Sequence, residues 1–125
     1  MTRTRASAKA AGSTFERLIA DYLARKVDDR IDRRVKTGAK DKGDIAGVRI
    51  SVYGSADKRV VLECKDYGGR LEPSTWTAEA ETERDNDGAL VGLVIAKRKG
   101  TTDPGKQWVI GTVDDLVALL TGRRA

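Results

Sequence analysis

Histidine is missing from this 125-residue chain, and cysteine occurs once. The first absence removes Ser-His nucleophilic catalysis, imidazole general bases and His-ligated metals. The second excludes an internal disulfide and a paired Cys/His zinc site. Aromatic residues make up only 5%, so the core must be mainly aliphatic. No apolar run approaches the length of a membrane span or a signal-peptide core, which predicts a cytoplasmic protein, bacterial or from a phage-infected host cell. Chemistry, if any, falls to carboxylates, lysine or a metal held through oxygen. The length suits one domain.

What is present is charge, unevenly spread. Residues 1–42 carry twelve Lys/Arg against six Asp/Glu, whereas residues 72–87 hold six acids and only Arg84. Lys97, Arg98, Lys99 and Lys106 restore a basic segment. Such segregation favours a polyanionic partner on one surface, with a solubilising coat as the plain alternative. The run Val60-Val61-Leu62-Glu63-Cys64-Lys65 is the most telling. An apolar strand here ends in a carboxylate and an ammonium, although unpaired buried charge is costly. Side chains two apart share a strand face. Glu63 and Lys65 therefore join Val61, and Cys64 lies with Val60 and Leu62 as a small core residue. Asp44, nineteen residues before Glu63, offers a second carboxylate.

Elements follow from periodicity and punctuation. Met1–Gly12 reads as a flexible basic tail, and residues 13–122 as a single domain. Ser13 and Glu16 have the spacing of a capping box. Phe15, Leu18, Ile19, Tyr22 and Leu23 form an amphipathic stripe. A short strand is expected before Lys36, a polar turn at Thr37–Lys42, and a second strand at Asp44–Tyr53. A hairpin turn at Gly54–Lys58 leads to the third strand at Arg59–Asp66. A Gly-containing loop precedes an acidic helix from Pro73 to Gly88, read as an outer face or a dimer contact. Ala89–Lys97 is a central strand. Gln107–Ile110 is the fifth strand, and Thr112 caps a last helix. The expected class is mixed α/β in the order αβββαββα, a five-stranded mixed sheet flanked by helices.

The residues Gly43-Asp44-Ile45 and Glu63-Cys64-Lys65 resemble the PD-(D/E)xK nuclease motif. Lys9, Phe15, Glu16 and Arg17 on the first helix, with Arg34 and Thr37-Gly38 beyond it, extend the resemblance to Holliday-junction resolvases of archaeal and phage type. Together these features span residues 9–65. Gly43 stands where that motif usually has Pro, and Thr37 where Ser is typical. The resemblance implies a restriction-endonuclease-like core. Asp44, Glu63 and the Cys64 carbonyl would hold Mg²⁺, with Mn²⁺ able to substitute. Glu16 would serve a second metal or a coordinated water, or else simply cap its helix. Lys65 would orient the attacking water and oppose transition-state charge.

The implied activity is a metal-dependent endonuclease that resolves four-way DNA junctions. Lys9, Arg17, Arg34, Thr37, Lys97, Arg98 and Lys99 would grip phosphates, reading shape rather than base sequence. Tyr67 is a candidate for stacking on a base or sugar, or a plain strand former. Paired cuts call for a symmetric homodimer, for which the fifth strand and last helix are candidate surfaces. No organic cofactor is expected. A restriction-like or repair nuclease acting on duplex DNA, and a non-catalytic DNA-binding module, remain as alternatives.

Overall fold

The computed structural model describes residues 3–34, 43–50 and 58–124. It is a mixed α/β structure in which three helices flank a mixed sheet of six strands.

Helix α1 spans Arg5–Lys26 and begins well before the expected Ser13. The hydroxyl of Thr4 accepts the Ser7 N–H at its start, and Arg25 and Lys26 occupy its last turn, where cations suit the helix dipole. Residues 5–12 are thus helical rather than a flexible tail. Their alanines and long basic side chains are strong helix formers, which outweighs their lack of an apolar stripe. Glu16 consequently lies inside the helix and caps nothing.

Strand β1 is Asp32–Arg33, β2 Ile45–Ala46, β3 Arg49–Ile50 and β4 Lys58–Lys65. The strand expected from Asp44 is broken into β2 and β3 at Gly47. That residue has φ +85°, and a Cβ there would stand 2.9 Å from the Arg30 carbonyl oxygen. This break is why six strands appear instead of five. The polar turn expected at Thr37–Lys42, and most of the Gly54–Lys58 turn, lie outside the described residues.

Helix α2 covers Pro73–Asp87, with Pro in its first turn and Gly88 as a left-handed C-cap. Strand β5 is Val91–Ala96, a 3₁₀ turn follows at Pro104–Lys106, and β6 is Trp108–Ile110. Helix α3, Val113–Thr121, opens with a reciprocal Thr112/Asp115 capping box.

The sheet order is β1-β2-β4-β5-β6, with β3 also pairing β4. Only β4 and β5 run parallel; the other pairs are antiparallel. A parallel pair needs a crossover, and α2 supplies it. The register sets Leu62 beside Leu93 and Glu63 beside Val94.

Two apolar layers result. Phe15, Ile19 and Ala118 from α1 and α3 pack with Val60, Leu62 and Ile95 on one face. Trp76 and Ala80 from α2 pack with Val94 and Ala96 on the other. The acidic helix is therefore a core element and not merely an outer face, because Trp76, Ala80 and Glu83 recur at helical spacing and are all buried. Gly92 permits its close approach: a Cβ there would meet the Ala80 carbonyl oxygen at 2.6 Å. Helix α3 instead leaves Val113, Leu116, Val117 and Leu120 exposed. No described helix is long and apolar enough to cross a membrane.

Candidate active site

The strand β4 carries its charges to the rim of an open cleft of about 840 Å³. Glu16, Asp44, Glu63, Cys64 and Lys65 all line it. Three elements separated in sequence deliver these side chains. Helix α1 lays Glu16 over the sheet, the turn into β2 brings Asp44, and the end of β4 presents the remainder.

Asp44 is only 2% exposed, and its Oδ2 accepts the Cys64 N–H at 2.8 Å. Its own N–H donates to the Leu62 carbonyl at 2.8 Å, which locks this residue against β4. The preceding Gly43 has φ +95°, and a Cβ would lie 2.8 Å from Val61 Cγ1. Proline, fixed near −65°, could not adopt that backbone, so the Gly is required by the local turn.

Glu63 is 7% exposed, and its Oε1 lies 3.6 Å from Lys65 Nζ. The shorter contact of Lys65 is to Glu79 Oε2 of α2, at 2.6 Å. Burial pushes the Lys65 pKa down, but the Glu79 hydrogen bond and the charges of Glu63 and Glu79 outweigh it, leaving the net shift upward. These contacts favour the ammonium form of Lys65.

The Cys64 side chain was expected only in the core; Cys64 packs against the α1 layer and also borders the cleft. Its thiol pKa is raised, first by burial and then by the carboxylates of Asp44, Glu16 and Glu63. A thiolate nucleophile is correspondingly suppressed.

Glu16 is engaged by a residue that sequence reasoning missed. Arg33 Nη2 and Nε donate to Glu16 Oε1 at 3.0 and 3.2 Å. Among the described residues, no set of three or more His, Cys, Asp or Glu side chains is gathered into a ready metal cage. Mg²⁺ is usually held by only one or two carboxylates, with water and substrate phosphates completing its octahedron. The all-oxygen pair of Asp44 and Glu63, facing an open cleft, fits that demand.

Other expected contacts are distributed around this centre. Lys9 lines the cleft, together with Arg3 and Arg70. Arg3 also donates to the carbonyl and carboxylate of Asp66 at 2.9 and 3.1 Å, fastening the start of α1 to the loop after β4. Arg17 and Arg34 line an adjoining cleft with Lys9 and Arg33. Arg98 and Lys99 line a third, smaller one with Lys106. Lys97 does not join them: its Nζ donates to the carbonyls of Arg98 and Thr101 and closes its own loop. Thr37 lies outside the described residues.

Tyr67 follows β4 rather than extending it. Its ring packs edge-on against Trp76 at 5.1 Å, with the Arg70 guanidinium 5.3 Å from its centre. Arg33 and Glu79 escaped detection for different reasons. Arg33 is adjacent to the motif-like Arg34 and was overshadowed by it. Glu79 falls at helical spacing between Trp76 and Glu83, a signal that the acidity of the helix obscured.

No protein-family model, curated protein or solved structure matches this chain.

Proposed function

We propose that this chain is a Mg²⁺-dependent DNA endonuclease with a restriction-endonuclease-like core, resolving four-way junctions as a homodimer. One observation carries the reading: Glu16, Asp44, Glu63 and Lys65, drawn from three separate elements, line a single cleft.

The chemistry asked of these residues is phosphodiester hydrolysis. Water adds to phosphorus, an ester P–O bond breaks, and negative charge grows on the phosphoryl oxygens. Asp44, Glu63 and the Cys64 carbonyl would hold Mg²⁺, or Mn²⁺ in its place, which supplies Lewis-acid polarisation of the scissile phosphate. Lys65 donates to an attacking water or phosphoryl oxygen, and its fixed positive charge opposes the developing negative charge. Glu79 Oε2, 2.6 Å away, anchors that ammonium. Tyr67 offers a partly exposed ring for stacking on a base or sugar.

The basic side chains around the clefts suit a phosphate backbone, and among the described residues no helix is rich in base-reading side chains, which favours recognition by shape. The exposed stripe of α3 favours a second copy as partner. Antiparallel packing of two such helices about a two-fold axis would cover Val113, Leu116, Val117 and Leu120.

The test is incubation of the full chain with an end-labelled four-way junction and with linear duplex of the same sequence, with Mg²⁺ or EDTA. Paired Mg²⁺-dependent cuts in the junction, with the duplex spared, support the proposal. Equal cutting of both substrates points to a restriction-like or repair enzyme. Tight binding without any cutting identifies a binding module and overturns catalysis.

A further inference from the structure

The main cleft has a neighbour of about 560 Å³, lined by Lys9, Gly12, Glu16, Arg17, Arg33 and Arg34, together with Ser13 and Asp32. Lys9, Gly12 and Glu16 belong to both clefts. A Cβ at Gly12 would meet no atom within 4 Å, so the two spaces are not walled apart there. Four cations facing two carboxylates make the second cleft an anion site by composition.

Arg33 is the hinge of this arrangement. Its fork holds Glu16 Oε1 from the second cleft, at 3.0 and 3.2 Å. The pair is only partly buried, with the Arg33 side chain 37% and the Glu16 side chain 16% exposed. An incoming ligand can therefore reach the guanidinium. The Arg17 charge is already spread over Asp21 and Asp32, at 3.0 and 2.8 Å, and neither acid lines the main cleft. Arg33 thus joins a cation of the second cleft to an acid of the first by an ion pair.

We infer that the second cleft binds a backbone phosphate of the substrate, and that this phosphate takes the Arg33 guanidinium from Glu16, releasing the carboxylate toward the main cleft. The inference rests on the nuclease reading and adds a coupling to it. A phosphodiester competes well for the fork because it matches guanidinium geometry in two parallel hydrogen bonds. With Arg33 withdrawn, a third carboxylate becomes available beside Asp44 and Glu63, and the cleft gains affinity for a divalent cation. Substrate binding would then complete the acidic site, and a free enzyme would hold its metal weakly. Coupling of this kind is reciprocal: what frees Glu16 for metal also strengthens phosphate binding once metal is present.

The test measures Mn²⁺ binding by electron paramagnetic resonance without DNA, and junction binding by fluorescence anisotropy in EDTA, where no cutting occurs. In Arg33→Met, Mn²⁺ should bind about fivefold tighter, at the low end of ordinary coupling between sites. Junction binding should weaken, with its logarithmic salt slope shallower by roughly one phosphate contact. Opposite changes in one variant are the signature, because a merely structural role for Arg33 would weaken both. Arg17→Met should weaken DNA binding alone. If Arg33→Met does not fold, Arg33→Gln is read in the same way, since glutamine also removes the charge and the fork while remaining polar.

Unchanged or weaker Mn²⁺ binding in the Arg33 variant would overturn the coupling. The parent reading is scored separately by Asp44→Asn. Loss of Mn²⁺ binding there, with no change in the Arg33 variant, removes only the coupling. Mn²⁺ binding that survives Asp44→Asn, or is absent from both the unaltered chain and the Arg33 variant, removes both.

Discussion

Replacing Asp44 separates what it does for the fold from what it does for chemistry. Its carboxylate is buried and accepts the Cys64 N–H at 2.8 Å. Asparagine keeps an oxygen for that N–H but removes the charge. Alanine removes both and leaves a buried backbone donor without its acceptor, which costs about 1–3 kcal/mol. Asparagine weakens a charge-assisted hydrogen bond by about 1 kcal/mol, while relieving repulsion from Glu16 and Glu63. Its net effect on stability should be small.

A chain of 125 residues loses roughly 3–6 °C of melting temperature per kcal/mol. Asp44→Ala should therefore melt several degrees below Asp44→Asn, and Asp44→Asn close to the unaltered chain. Both should lose Mg²⁺-dependent cutting by at least about a hundredfold, the scale expected when a preorganised charge on the reacting group is removed. Thermal melting and a junction-cleavage time course on the three proteins decide the matter. Equal melting of the two variants would refute the role of the Cys64 hydrogen bond. Normal cutting by Asp44→Asn would refute the chemical role.

Other expectations concern different parts of the molecule. Gly92→Ala forces a methyl group onto the Ala80 carbonyl, 2.6 Å from the new Cβ; it should cost about 1–3 kcal/mol, read as a lower urea midpoint. Asp115 has a lowered pKa: burial raises it, but the Thr112 N–H and hydroxyl and the Arg124 guanidinium outweigh that effect. Its contribution to stability is present above the ordinary aspartate value of 3.8 and is lost as pH falls through the lower folded value. Urea midpoints measured down through that range should fall more steeply for the unaltered chain than for Asp115→Asn, and parallel curves would contradict this. Leu120, 76% exposed on α3, should change to Asp without loss of fold but with a shift from dimer to monomer in sedimentation. An unchanged sedimentation coefficient would remove α3 from the interface.

Much of the fold was legible because the main elements carry strong local signals. The apolar run before Glu63, the Pro73 start and Gly88 stop of α2, and the Thr112 cap each have a direct structural counterpart. The start of α1 was not legible, because helix propensity alone carries residues 5–12, without an amphipathic pattern to announce them. The split of the Asp44 strand depends on Gly47 fitting beneath the Arg30 carbonyl, a contact between segments that no local window contains. The site shows the same division. Asp44, Glu63 and Lys65 follow from strand spacing and a familiar motif. Arg33 and Glu79 matter through what they touch across the fold, and only the packing of α1 and α2 on the sheet brings those contacts into being.

The central claim is that Asp44 and Glu63 hold a divalent ion in the main cleft. Crystals soaked in Mn²⁺ test it most directly, through anomalous scattering. A peak between those two carboxylates, absent from Asp44→Asn crystals, is the predicted result. A peak elsewhere, or none at millimolar Mn²⁺, would contradict the account.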